Sequence, residues 1–387
     1  MTATVIVTAR GAERVRCGHP WVYQSDLREI DAEPATTVAV VDPRGRRLGE
    51  AFYSDRSQIA LRMVTRGDER MTLDVWRARL NQAAAFRASL GIDATAYRLV
   101  HGEADLLPAF TLDRYGDHLV VQATAQAVDR MLPQVVPLLV DLFRPRGILA
   151  RNDGRVRLKE GLEREVALLD GEVPPLVEIR EGGEHYEVDL WKGQKTGLFL
   201  DQRENRAAAA QYARGRALDC FTYNGGFALR LARHCDQVLA IDISEDACAR
   251  VRANAARNGI ANLDVRAANV FDELHELDRG GEAFDTIVLD PPAFAKTRAV
   301  LDRALKGYKE INLRALKLLR PGGCLVTCTC SYHVDESMFG EVVYGAALDA
   351  GAVVTVVEKR MQGRDHPVLL GVPESYYLKC FILRRLA

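Results

Sequence analysis

Apolar and polar positions along the chain change rhythm twice. Up to about residue 70 they fall in short runs: 4–8, 38–41, 48–53 and 59–64 are rich in β-branched and aromatic residues, and Asp42-Pro43-Arg44-Gly45 is a hairpin turn signal. This pattern predicts a small barrel or sandwich. The spacing of Leu73, Trp76, Leu80, Ala84 and Leu90 then predicts an amphipathic helix leaving that first domain. Next come a hairpin of 109–114 with 118–123, a helix over 127–143, a strand over 147–151, and a second hairpin of 176–180 with 185–190. From Trp191 strands and helices alternate regularly. Strands are predicted at 217–220, 237–242, 263–267, 284–289, 324–328, 353–358 and 377–384, with helices at 227–232, 244–258, 300–319 and 335–350. Such alternation implies a parallel sheet with helices on both faces, ended by a hairpin. The expected division is 1–72, 73–190 and 191–387.

Composition narrows this little. With 387 residues, 48% of them hydrophobic, the chain can bury more than one core. A net charge of -1 excludes a global basic pull toward nucleic acid, so any such binding is local. Eight cysteines lie scattered, without paired disulfide spacings, as expected of reduced thiols in a cytoplasmic protein. No signal peptide or membrane-spanning run is evident, and no membrane partner is expected. Residues 1–70 hold eleven arginines, no lysine and ten acids, so arrangement rather than sum would have to bind RNA. Arg10, Arg14, Arg16, His19, Trp21 and Tyr23 crowd the first connection, mixing phosphate donors with rings able to stack on bases. A solvated loop with Trp21 packed inward is the competing reading.

The stretch 217–243, ALDCFTYNGGFALRLARHCDQVLAIDI, reads as strand, glycine turn, helix and second strand. Ligands bind beyond the carboxyl ends of such strands, and an acid about 20 residues after the first strand is placed for ribose hydroxyls; Asp242 occupies that place. The glycines do not match G-x-G-x-x-G, whose purpose is close approach to a pyrophosphate. Two adjacent glycines, with Asp219 before them, resemble the cofactor site of class I S-adenosylmethionine-dependent methyltransferases, whose ligand lacks phosphate.

Two later strand ends carry further chemistry. Asp290-Pro291-Pro292-Ala293-Phe294 resembles the D/N-P-P-F/Y motif of nucleic-acid methyltransferases, with Phe294 available to stack on a base. Thr327-Cys328-Thr329-Cys330-Ser331 ends the next strand, where Cys328 and Cys330 are expected on one side and Cys330 further into the cleft. Methylation at C5 of a pyrimidine needs a thiolate, because that carbon becomes nucleophilic only after addition at C6. Buried cysteine as a small hydrophobe is the alternative. Cys328, Cys330 and His333 lack a second ligand pair, so no metal is expected.

Together with Gly18-His19-Pro20-Trp21-Val22-Tyr23 and the stretch GQKTGLFLDQR at 193–203, these motifs make the front resemble a PUA domain. The remainder is similar to the bacterial large-subunit (23S) rRNA cytosine-C5 methyltransferases. The resemblance implies an α/β fold: a class I methyltransferase (Rossmann-like) seven-strand sheet, an N-terminal PUA-like small β-barrel and a middle α+β domain. S-adenosyl-L-methionine would be the cofactor, with Gln202 and Arg203 at its amino-acid end. The loop Asp219, Phe221, Asn224, Gly225 would wrap its methionine part, Asp242 would hold the ribose, and Asn269 would sit at the adenine edge. Asp290 would hydrogen-bond the base beside the cofactor, Cys330 would be the nucleophile, and Pro291, Pro292, Phe294, Arg10 and Trp21 would meet the RNA. Unlike many such enzymes, the proline motif holds no second cysteine, which leaves the acceptor of the C5 proton unassigned. The expected partners are 23S rRNA, free or in an assembling subunit, and a second copy of the chain in a homodimer. An exocyclic-amine methyltransferase of adenine or guanine and a non-catalytic RNA-binding assembly factor are the competing functions.

Overall fold

The computed structural model describes residues 3–295 and 297–387. The chain forms two compact units: Met1–Ile179 with Val188–Leu200 and Arg364–Ser375, and Arg180–Glu187 with Asp201–Gly363 and Tyr376–Ala387.

The first unit opens with six strands in one sheet, in the spatial order Trp21–Tyr23, Ile59–Met63, Arg47–Tyr53, Thr37–Val41, Thr4–Val7, Leu27–Asp31. All pairs are antiparallel except Thr4–Val7 with Thr37–Val41. The connection expected to be irregular is instead a helix, Ala9–Arg16. Its start is fixed by Thr8, whose hydroxyl accepts from the Gly11 N–H, satisfying an otherwise unpaired donor of the first turn. Only Gly11, Ala12 and Val15 face inward, too short an apolar stripe to stand out in the sequence. The helix Leu73–Ser89 lies where its spacing predicted and buries Trp76 and Leu80 against Phe52 and Phe110. Five further strands form a second sheet. Besides the predicted Phe110–Tyr115, His118–Ala123 and Gly147–Asn152 it includes Ala96–His101 and Glu165–Gly171, neither of which alternates cleanly.

In the second unit the sheet strands are numbered β1 (Arg216–Cys220), β2 (Gln237–Asp242), β3 (Leu263–Ala267), β4 (Phe284–Leu289), β5 (Leu319–Thr329), β6 (Val354–Arg360) and β7 (Lys379–Arg385). Their order is β3-β2-β1-β4-β5-β7-β6, with β7 antiparallel to both neighbours and the first five strands parallel. The helices are α1 (Arg203–Tyr212), α2 (Gly226–Ala232), α3 (Glu245–Arg257), α4 (Val270–Arg279), α5 (Leu301–Leu318) and α6 (Glu336–Asp349). Strand residues feed two cores in alternation. Leu218, Ile241, Ile287, Leu289 and Leu325 pack with α4, α5 and α6, while Ala217, Val238, Ala240, Val288 and Val326 pack with α1 and α2. Burial on both faces is why these strands are nearly continuous apolar runs. Helix α4 was absent from the predicted elements, although Val270, Leu274 and Leu277 carry a helical spacing and are buried. Among the described residues, no helix is long and apolar enough to cross a membrane.

Candidate active site

Every parallel strand of the second unit points its carboxyl end to the same edge, and the proposed site residues of this unit gather at or beyond those ends. After β1 the chain turns through left-handed backbone at Phe221 (φ 64°), Tyr223 (φ 49°) and Gly225 (φ 82°). At Gly225 an added Cβ would besides stand 2.4 Å from Leu229 Cδ1, so the leucine side chain would have to shift. The turn is held by the Thr222 hydroxyl donating to Asp219 Oδ2 (2.6 Å) and the Gly225 N–H donating to the Thr222 carbonyl (2.9 Å). Asp242, at the end of β2, accepts from the backbone N–H groups of Tyr223 (2.9 Å) and Ser244 (3.0 Å), so it fixes the loop while keeping acceptor capacity on both oxygens.

Several buried polar atoms of this loop have no partner: Asp219 Oδ1 and both amide atoms of Asn224, on side chains only 1% exposed. Such atoms are costly unless a ligand meets them. Burial, reinforced by the charges of Asp290 and Asp242 and opposed by the Thr222 hydroxyl and the Ala228 backbone N–H, pushes the Asp219 carboxyl up to about 7. A cationic group of a ligand placed here would reverse that. Asn269 caps α4, its side-chain oxygen accepting from the Phe271 N–H at 2.9 Å, and is otherwise exposed, leaving its amide N–H groups for another partner.

Beyond β4, Asp290 is half-buried and accepts from Gln202 Nε2 at 2.8 Å, while Gln202 Oε1 accepts from Asn205 (2.7 Å). Gln202 is therefore tied to Asp290 rather than standing apart beside it. Arg203, 6% exposed, pairs with Glu204 at 3.0 Å. Pro291 is buried and Pro292 exposed. Phe294 is half-buried in an aromatic group, 4.6 Å from Tyr308, 5.8 Å from Phe271 and 6.4 Å from Phe221 between ring centres. Much of the ring that the sequence offered for stacking is thus engaged by protein.

Of the two cysteines after the long helix, only Cys328 is a strand residue. β5 ends at Thr329, whose hydroxyl accepts from the Ser331 N–H at 3.2 Å and turns the chain. Cys328 remains in the sheet, wholly buried opposite Cys380, and contact with that thiol together with burial holds its own thiol well up. Cys330 lies past the turn, half-buried. The strand outlasts its predicted end by one residue and stops just before Cys330. A hub not foreseen from sequence joins the two strand ends: Ser331 Oγ lies 2.8 Å from the Tyr308 hydroxyl and accepts from the Ala295 N–H at 3.1 Å. All three residues are buried.

Arg10 and Trp21 belong to the first unit. Arg10 is two-thirds exposed and donates to the buried Asp26 at 2.6 Å; Trp21 donates its indole N–H to Glu103 at 3.0 Å with His19 edge-on at 5.6 Å. Arg14 stacks over Tyr23 at 4.6 Å, and Arg16 pairs with the buried Asp42. Among the described residues, no group of three or more His, Cys, Asp or Glu could hold a metal ion.

A β3-β2-β1-β4-β5-β7-β6 sheet with acids at its first two strand ends defines a class I methyltransferase, and residues 154–367 match the family of S-adenosylmethionine-dependent methyltransferases, with 5–66 matching a PUA-like domain. The chain is 40% identical to the ribosomal RNA large subunit methyltransferase I of Tolumonas auensis, over 99% of this chain and 100% of that one. It is 38% identical to that of Vibrio cholerae, over 98% and 99%. The chain belongs to this family of S-adenosylmethionine-dependent methyltransferases. Its fold matches SMU.776, solved in complex with SAH, with a TM-score of 0.85 and 21% identity over 99% of this chain and 100% of that one. Trm5b from Pyrococcus abyssi matches over 71% of this chain and 75% of its own, with a TM-score of 0.54 and 16% identity.

The loop fits the cofactor of the family. The unpartnered Asp219 and Asn224 atoms offer acceptors and a donor for the polar amino-acid end, Asp242 has free acceptor capacity for hydroxyls, and Gly225 clears the space that a side chain would fill.

Proposed function

We propose that this enzyme methylates C5 of a cytosine in large-subunit (23S) rRNA through a covalent adduct of Cys330. The observation that carries the reading is the pairing of Asp290 and Cys330 beyond adjacent parallel strands β4 and β5, whose ends the Tyr308–Ser331–Ala295 hydrogen bonds tie together. The relatives named for large-subunit ribosomal RNA support the substrate class. Bound S-adenosylmethionine supplies an electrophilic methyl group.

The chain's residues do the rest. A cytosine turned out of the RNA lies against Asp290, whose carboxyl, steadied by Gln202, hydrogen-bonds N3 or the exocyclic amine. The Cys330 thiolate adds at C6: an S–C6 bond forms and the 5,6 π pair moves onto C5, which becomes nucleophilic. After methylation the C5 proton leaves to water, the C6–S bond breaks with its electrons returning to sulfur, and the 5,6 double bond is restored. Gln202, Arg203, Asp219, Phe221, Asn224, Gly225, Asp242 and Asn269 hold the methyl donor. Residues 1–72 recognise RNA through guanidinium groups such as Arg10, residues 73–190 act as a middle domain, and 191–387 carry the chemistry.

Mapping 5-methylcytosine in 23S rRNA from cells with and without the gene tests this. Loss of one site supports it. An unchanged cytosine map with a lost methylated adenine or guanine would instead favour the exocyclic-amine reading, which the Asp290-Pro-Pro-Phe motif also admits.

A further inference from the structure

Covalent addition needs sulfur as thiolate, a form that a neighbouring cation favours. The antiparallel partner of β5 brings such a cation. Lys379 is the first residue of β7 and pairs in register with Thr329, the last residue of β5 and the one before Cys330. Residues opposite each other on antiparallel strands share a face, so Lys379 stands with Thr329 while Cys328 and Cys380 occupy the other face. A lysine only 2% exposed is uncommon, because burying an ammonium costs several kcal/mol unless it is paired. Its own hydrogen bond, to the Tyr377 carbonyl at 3.4 Å, is long, and it lies 5.3 Å above the Tyr376 ring.

The surrounding charges narrow its partner. Glu336, at the start of α6, is already bound by Lys359 (2.8 Å) and the Tyr376 hydroxyl (2.8 Å), and Asp335 caps α6 through the Met338 N–H (2.8 Å). Burial pushes the Lys379 ammonium down, and Asp335, Cys330 and Glu336, in that order, favour its charged form. Tyr308 also feels the Cys330 charge; burial, with that charge adding to it, raises the Tyr308 hydroxyl, so it stays neutral.

We infer that Lys379 is the positioning residue that keeps Cys330 as thiolate, from the strand end beside it. The inference rests on the proposed Cys330 mechanism and deepens it. The Sγ proton leaves to solvent and the Lys379 ammonium stabilises the thiolate left behind, so that the sulfur electron pair is available for C6. When the C6–S bond breaks, the thiolate is regenerated beside the same ammonium, so no further proton donor is needed at sulfur.

Among the cysteines only Cys17 is exposed and Cys330 half-buried, the other six being buried, so a Cys17→Ser protein reports Cys330 by alkylation. The rate of iodoacetamide modification of Cys330 is followed against pH by peptide mass spectrometry. With Lys379 intact, the midpoint is expected at least one unit below the ordinary thiol value of about 8.5. Lys379→Met is expected to raise it by more than a unit, slowing modification at pH 7 about tenfold, whereas Lys379→Arg keeps it low. Retained S-adenosylmethionine binding by calorimetry confirms folding, and Lys379→Gln serves if the Met variant fails. An ordinary midpoint in the Lys379 protein, or one that Lys379→Met leaves unchanged, overturns the inference. Cytosine methylation by Cys330→Ala, measured in parallel, separates failure of the parent mechanism, because the alkylation profile reads the Lys379–Cys330 pair whatever the reaction is.

Discussion

After β1 the chain passes through left-handed backbone at Phe221, Tyr223 and Gly225 and leaves buried atoms of Asp219 and Asn224 without partners, whereas beyond β4 and β5 the groups are held by side-chain hydrogen bonds through Gln202, Tyr308 and Ser331. The first region is shaped by backbone and left open; the second is closed on itself. A small cofactor with fixed polar groups suits a preformed cradle. A base that arrives on an RNA and forms a bond needs its reacting groups aligned with each other, and a shared hub does that.

Changes on the two sides therefore fail differently. The largest effect is expected at Cys330. Cys330→Ala should lower cytosine methylation by about 10⁴-fold or more while leaving S-adenosylmethionine binding intact. Cys328→Ala should keep the reaction and lose about 1–2 kcal/mol of stability, since its thiol is buried against Cys380. Single-turnover assays and thermal unfolding of both variants separate the two roles.

Next comes Gly225→Ala. With φ at 82° and Leu229 Cδ1 2.4 Å from the added carbon, it should cost about 1–3 kcal/mol at the loop and weaken cofactor binding roughly 10–100-fold. Calorimetry should show the loss, and saturating cofactor should restore much of the rate.

Asp219 gives a pH signature. Its folded carboxyl is raised from 3.8 to about 7, so between those values the folded protein binds more protons than the unfolded one. Its contribution to stability is complete below pH about 4, declines as pH rises, and is lost above about 7. Asp219→Asn should flatten that decline in urea titrations. A bound ammonium reverses the burial effect, so cofactor affinity should rise from pH 5 to 7 with proton release, and Asp219→Asn should abolish the release. The smallest effect belongs to Tyr308→Phe. Losing the hydroxyl–Ser331 bond should cost about 1 kcal/mol and slow methylation several-fold without changing cofactor affinity, in steady-state kinetics at saturating cofactor.

The cofactor side was more legible in the sequence than the base side, for a local reason. Asp219, Asn224, Gly225 and Asp242 lie within 24 consecutive residues, and strand, turn, helix and strand periodicities bring them together. The hub joining Ala295, Tyr308 and Ser331 spans 36 positions and depends on α5 packing beneath both strand ends. Lys379 meets the end of β5 only through an antiparallel register that no local pattern encodes. The turn at Thr329, by contrast, rests on a local hydroxyl–backbone hydrogen bond to the Ser331 N–H. In the first unit, the short stripe of Ala9–Arg16 and the uneven alternation of Ala96–His101 gave too little periodicity to assign.

One measurement bears on the Cys330 adduct without intermediaries: incubation of the enzyme and S-adenosylmethionine with 23S rRNA transcribed to contain 5-fluorocytosine, followed by denaturing electrophoresis. Fluorine at C5 cannot leave as a proton does, so a covalent protein–RNA complex should accumulate with the native enzyme and with Cys328→Ala, and be absent with Cys330→Ala. A native enzyme that methylates ordinary 23S rRNA yet yields no such complex, or a complex that persists in Cys330→Ala, would contradict the mechanism.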